Sequence, residues 1–474
     1  MGNSLVTMIL LGWIPVTILT FAVFSPRRAF FLTTLGGWMF LPVHSVPIPG
    51  FVDFDKTAAV SFSALLGVLL FDSDRLKRAS FHRFDIPMTI WCASPMVTSY
   101  MNDLGLYDGL SGVLDRGTAY YLPYLLGRIY LGTYAGLREL AIAFVICGLV
   151  YAPFSLWEVR MSPQLHTQIY GYFAHSGGFA QVFRFGGWRP MVFMHHGLML
   201  GLFMAMSALC AFGLWFTQAK LTLLRVPMFA VFLFLVAVNI LGKSTGSIAL
   251  LAIGIGAMVS MRMTRQSIAY WVIALIPLTY VSLRAPGIWD GQNLVEVVSE
   301  YLGPERAHSL DYRFEAEGLL SAKAMEQPIY GWGEHDRGRV DWEKSDDGKV
   351  VPDGLWIQAF NVNGLIGIGG LLLTFLFPIY LVGRKVTPAE HVHGHSGLIS
   401  LLSLVVGLYM LDNLLNAMVV PVYFSILGGL VGYAIANPGI YRKRARPPVV
   451  HPTQVRWYRA QRANWPKNSH SRTA

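Results

Sequence analysis

The chain has 474 residues, 54% of them hydrophobic and only 14% charged, with 37 Lys and Arg against 27 Asp and Glu for a formal net charge of +10. So little charge cannot cover a soluble globule of this length, which excludes an ordinary soluble enzyme and points to a polytopic membrane protein. The basic residues are spread over short interruptions between apolar runs, the pattern that orients membrane proteins, so nucleic acid is not an expected partner.

The apolar runs approach the roughly 20 residues that a helix needs to cross a bilayer, whereas β-barrel strands would be shorter and alternating; the expected fold class is all-α. In chain order the predicted spans are Leu5–Phe24, Phe30–Val43, Thr57–Phe71, Ile86–Tyr100, Ala119–Tyr134, Leu140–Leu156, Met191–Phe216, Val226–Leu241, Ser247–Met261, Ile268–Leu283, Leu355–Val382, Leu398–Leu415 and Val419–Ala436. That makes about 12 to 13 spans. The first lacks a basic flank and a cleavage signal and reads as a retained anchor. Leu104–Leu114 reads as a shallow, re-entrant helix. Cys92, Cys147 and Cys210 lie inside apolar runs as small hydrophobes, so neither a disulfide framework nor a zinc site is indicated.

Alternate loops hold Arg27 and Arg28, Arg75 to Arg83, Arg138, Lys220 and Arg225, Arg262 and Arg265, Arg384 and Lys385, and the tail with Arg442, Lys443, Arg444 and Arg446. The positive-inside rule puts these in the cytoplasm. Lys56, the segment Arg160–Arg189, Lys243 and the long polar loop 284–354 then face outward. Residues 1–440 read as one integral membrane unit, and 441–474 as a basic, disordered cytoplasmic tail.

Before the seventh span stands Phe183-Arg184-Phe185-Gly186-Gly187-Trp188-Arg189-Pro190. Pro190 suits the first turn of a helix, which would set Arg189 beside a helix N-terminus, where amide donors favour an anion. Arg184 and Arg189 there either form a diphosphate site or snorkel to lipid headgroups. His195 and His196, one turn further in, are either functional or satisfied by a neighbouring carbonyl. Arg128, in mid-span, requires a partner, for which Asp412 and Glu158 are candidates, or a watery pocket. Lys243 sits in a hairpin that reaches the same outer face, although Gly242-Lys243-Ser244-Thr245-Gly246 is no phosphate loop. In the long loop, Asp311–Met325 is compatible with an amphipathic helix on which Glu315 and Glu317 face apart, and Pro328–Gly333 ends it in a turn.

Taken in order, Trp188-Arg189-Pro190, Lys243-Ser244, Arg313 about fifteen residues before Gln327-Pro-Ile-Tyr-Gly-Trp-Gly333, and Asn363-Gly364-Leu365-Ile366-Gly367 resemble the O-antigen ligase and O-antigen polymerase superfamily over Glu158 to Gly370. The resemblance implies a bacterial inner-membrane glycosyltransferase. Such an enzyme takes a glycan from a polyprenyl diphosphate on the periplasmic side to an acceptor hydroxyl on a glycan, lipid or protein, with inversion and with no metal or cofactor required. By the same resemblance Arg189, with Arg184 close by, and Arg313 hold the diphosphate. His195, His196, Lys243, Arg128 and Trp356 are further substrate-contacting candidates. The family places a His-Asn pair eleven residues before the glycine at 364, where this chain has Asp353-Gly354, and the Lys243-Ser244 pair is also altered. Asp353 is therefore the candidate base, or it orients the acceptor, with His195 or His196 the alternative for the acceptor. The rival reading is a lipid or polysaccharide transporter, with Arg128 and Asp412 along its path and the loop as lid.

Overall fold

The computed structural model describes residues 4–48, 52–175, 179–217, 221–223, 225–345 and 348–437, excepting the side chains of 180 and 181. Lys220 and the tail from 441 onward lie outside the described residues. Helices dominate: α1 (Ser4–Val23), α2 (Pro26–Phe40), α3 (Lys56–Phe71), α4 (Ser73–Arg78), α5 (Ile86–Met101), α6 (Leu106–Arg116), α7 (Leu122–Leu131), α8 (Tyr134–Met161) and α9 (Leu165–Tyr170) in the first part. There follow α10 (Gly197–Thr217), α11 (Met228–Leu241), α12 (Thr245–Thr264), α13 (Ile268–Arg284), α14 (Gln292–Leu302), α15 (Pro304–Glu326), α16 (Leu355–Gly383), α17 (Gly394–Leu415) and α18 (Pro421–Ala436). Among the described residues the strands are three two-residue antiparallel hairpins: β1 (Ser45–Val46) with β2 (Phe54–Asp55), β3 (Phe183–Arg184) with β4 (Gly187–Trp188), and β5 (Thr222–Leu223) with β6 (Val226–Pro227).

Six helices, α1, α8, α10, α12, α16 and α17, are long and apolar enough to cross a membrane, and α3, α11, α13 and α18 are shorter apolar helices. The centre is α10 and α17, each 89% buried along its apolar stretch, while α1 is 22% buried and lies at the periphery. Bonds that tie helix ends and loops together fall into two sets. One joins Lys56 to the Phe193 carbonyl (2.7 Å), Val43 to His166 (3.1 Å), Arg337 to Asp108 (3.1 Å) and Arg184 to Glu305 (3.1 Å). The other joins Arg27 to Glu139 (3.5 Å), Tyr130 to Asp72 (3.0 Å) and Lys385 to the Ala434 carbonyl (3.1 Å).

Two expectations about the spans need correction. The segment at Leu104–Leu114 is not re-entrant: α6 packs along α5, where a side chain on Gly112 would meet Pro95 at 2.6 Å, and continues through a π-helical turn, Gly117–Tyr121, into α7. The seventh span begins at Gly197 rather than Met191. The cause is Glu158, whose buried carboxylate accepts the amides of Met191 and Val192 (2.7 Å each) and Leu165 (3.0 Å), drawing them off as a loop with Val192 at φ 54°. Pro190 is therefore in that loop and not in a helical first turn.

The long loop folds onto the helix ends. Its amphipathic helix is longer than expected, running from a Gly303 cap with Pro304 at its start to Glu326, and α14 precedes it. Buried Arg284 fastens it, with its guanidinium paired to Glu317 (3.3 Å), bonded to the carbonyls of Trp289, Asp290 and Phe314, and lying 4.9 Å over the Phe314 ring. Glu317 also accepts from Tyr280 (2.7 Å) and Trp356 (3.1 Å), while Glu315 points outward to Lys344 (2.6 Å), so the two carboxylates do face apart.

The turn at Pro328–Gly333 docks into a kink of α16. Gly364 is non-helical at φ 59°, so the amides of Leu365 and Ile366 cannot bond back along the helix; they donate instead to the carbonyls of Pro328 (2.7 Å) and Ile329 (3.4 Å). The carbonyls thereby left open, Asn361 and Val362, accept from Trp332 and Gly333 (2.9 Å each). A Cβ on Gly364 would lie 2.4 Å from Ile329 backbone and one on Gly331 2.5 Å from Asn363 backbone, so only glycine permits the approach at either position.

Candidate functional site

The β3–β4 hairpin turns at Phe185 and Gly186, both with positive φ (50° and 67°), a tight reversal that projects Arg184 and Phe185 from one side of the fold. Lys243, at φ 53° in the hairpin between α11 and α12, donates to the Phe185 carbonyl (3.3 Å) and lies so close under Gly187 that a Cβ there would stand 1.9 Å from its ammonium nitrogen. Arg189 follows β4, its amide held by the Val182 carbonyl (2.7 Å). Its aliphatic stem crosses Gly197, the first residue of α10, where a Cβ would come within 2.3 Å of Arg189 Cδ. Arg189 thus lies beside the α10 N-terminus although it stands eight residues before the helix begins.

Helix α15 brings Arg306 and Arg313 to the same place. The charges of Arg184, Arg306 and Arg313 all bear on Arg189, which burial first, and then these three in that order, push down to about 10. Arg189 is 5% exposed, its Nε is buried without a partner, and no hydrogen bond or ion pair to its guanidinium is found among the described residues. Its neighbours have weak or exposed counter-ions. Arg184 pairs with Glu305, itself 76% exposed, and Arg306 lies 4.4 Å over the exposed Phe185 ring. Arg313 Nε meets Asp353 Oδ2 at 3.3 Å.

His196 lies against His175, with ring centroids 4.7 Å apart. Burial, then His175, Arg189, His195 and Arg313, push its imidazole down to about 3, so the ring is neutral. Its Nδ1 accepts the Leu198 amide (3.0 Å), which leaves the proton on Nε2. His196 therefore presents a donor, not a base. His195 is adjacent and exposed.

Asp353 precedes the first turn of α16, and Gly354 touches α17, where a Cβ would stand 2.3 Å from the Leu414 carbonyl. The far end of α17 thus brings in Asp412, whose Oδ1 accepts from Asn416 (3.1 Å), whose Oδ2 is buried with no partner, and on which the charge of Arg313 acts.

Two expected site residues are elsewhere. Arg128 does not pair with Asp412 or Glu158; it forms a buried ion pair with Asp85, which Tyr124 also bonds (2.8 Å), at the opposite end of the helices. Asp85 is placed for this because it caps the turn that begins α5, a relation that hydropathy does not reveal. Trp356 is fully buried, its indole spent on Glu317, so it ties α16 to α15 and has no surface to offer a substrate. Conversely, sequence reasoning missed Arg306. It stands seven residues before Arg313, on the same helical face, and the Gly303-Pro304 start signal would have extended the helix far enough to include it.

In comparisons with known proteins, the chain matches no family model and no curated sequence.

Proposed function

We propose that this chain is an integral glycosyltransferase of a bacterial inner membrane that moves a glycan from a polyprenyl diphosphate to an acceptor hydroxyl, with loop 284–354 periplasmic and the tail cytoplasmic. Polymerase and ligase share this donor chemistry and differ in the acceptor. The observation that carries the reading is Arg189, a buried guanidinium without an acceptor and surrounded by three others. A buried cation left unpaired is expensive, and four guanidiniums within electrostatic reach of one another, one of them at a helix N-terminus, are best satisfied by a ligand with several anionic oxygens.

In the transfer, the acceptor oxygen attacks the anomeric carbon from the side opposite the diphosphate. The new C–O bond forms as the bond from that carbon to the phosphate oxygen breaks, inverting the centre. The bonding pair leaves with the polyprenyl diphosphate, whose growing charge Arg184, Arg189, Arg306 and Arg313 stabilise, and Nε2–H of His196 adds a neutral donor. The hydroxyl proton passes to Asp353. Because Asp353 is held by Arg313 through one oxygen, a diphosphate that recruits Arg313 leaves the carboxylate open to that proton.

A transporter reading fits less well, since Arg128 and Asp412 lie at opposite ends with separate partners. The test is transfer in detergent from a synthetic polyprenyl-diphosphate oligosaccharide. Arg189→Ala and Arg313→Ala are each expected to lose about 10²–10³-fold in rate at unchanged membrane abundance; full activity in both, or no product from the parent chain, refutes the assignment.

A further inference from the structure

A cavity opens beside the first turn of α16. Its volume is about 460 Å³, within the range of about 300–1,000 Å³ common for small-ligand sites. Four carboxylates line it, Asp53, Asp55, Asp115 and Glu334, against one cation, Arg116. That cation is already satisfied: it bonds Glu334 (3.2 Å), Ser94 (2.8 Å) and Asn363, and its guanidinium lies 3.9 Å over the Trp91 ring. The charges of Glu334, Asp55 and Asp53 all bear on Asp115, so the four act within one space. Among the described residues no three His, Cys, Asp or Glu converge as a metal site would require.

Trp91 lines the cavity and is 2% exposed, yet its indole N–H is buried with no acceptor among the described residues. The cavity therefore presents a surplus of acceptors, with the largely buried Trp91 and Tyr120 in its floor. Its far wall includes Leu355 and Gln358, and Gln358 donates to the Pro352 carbonyl (2.8 Å), one residue before Asp353.

We propose that this cavity is the acceptor subsite, and that the sugar units it takes carry hydroxyl or amino groups but no carboxylate or phosphate. Carboxylates bind hydroxyl and ammonium donors strongly, and the negative field repels any anionic unit. The same field keeps the diphosphate on the arginine side, so donor and acceptor are sorted by charge on either side of Asp353. The inference rests on the transferase reading.

The test presents the full chain in detergent to an array of immobilised oligosaccharides in three classes: uncharged, amino-substituted, and uronate- or phosphate-bearing. Binding of farnesyl diphosphate is measured in parallel. The parent chain is expected to retain the first two classes and not the third. The double variant Asp53→Asn with Asp115→Asn, at two exposed side chains, is expected to weaken saccharide binding by about tenfold or more, and Asp115→Lys to admit uronates. Preference of the parent chain for the anionic class overturns the assignment. So does unchanged saccharide binding in the double variant, or binding of farnesyl diphosphate with no saccharide retained. Saccharide retention without farnesyl diphosphate binding would instead remove the donor reading.

Discussion

Replacing Arg189 by Met keeps the length of the side chain and removes its charge, and the arginine cluster predicts that the empty protein becomes more stable. The guanidinium is pushed from its ordinary 12.5 down to about 10, first by burial and then by Arg184, Arg306 and Arg313. At 1.36 kcal/mol per pH unit, this displacement corresponds to about 3 kcal/mol of destabilisation by the charge in the folded state. The sign is that of a base whose folded value is depressed: the charge is present in both states at neutral pH, its cost is therefore undiminished there, and relief comes only as pH rises through about 10. Arg189→Met should thus raise the thermal midpoint in detergent without ligand. Farnesyl diphosphate at a hundred times its Kd should stabilise the parent chain by about 2.7 kcal/mol and the variant by little. A lower midpoint in the unliganded variant, or an undiminished response to farnesyl diphosphate, would refute the argument that Arg189 awaits an anion.

Arg128→Met leaves Asp85 buried without its cation and should cost about 3–5 kcal/mol, seen as a lower thermal midpoint, with farnesyl diphosphate binding by the folded fraction unaltered. Gly364→Ala should lower the midpoint by the equivalent of at least about 2 kcal/mol, because φ 59° and the Ile329 backbone both oppose a Cβ, and should expose the 327–333 segment to limited proteolysis. Because the His196 imidazole is pushed down to about 3, it stays neutral across ordinary pH. The transfer rate should show no imidazole inflection near 6.5 that His196→Phe abolishes, whereas stability should fall on acidification below about 6.5, where only the unfolded state gains the proton.

The helical, apolar character was legible because apolar composition persists along the chain, and six of the helices are long enough to cross a membrane. Partner choice was less legible. Hydropathy puts Arg128 inside a helix but cannot say that the first turn of α5 presents Asp85 to it, and a tryptophan after Asp353 reads alike whether it meets a substrate or Glu317. The start of α10 was misplaced because an apolar run hides the carboxylate that diverts it, Glu158 lying over thirty residues upstream. The acidic cavity draws on segments around positions 53, 115, 334 and 358, none of which is distinctive alone.

The exchange of backbone partners between Pro328–Gly333 and the Gly364 kink makes the long loop a component of an apolar helix, not an appendage to it. Excising or transplanting that loop would strip two amides and two carbonyls of α16 of their partners. Moving that segment into another chain would therefore have to carry the Gly364 kink of α16 along as one cassette.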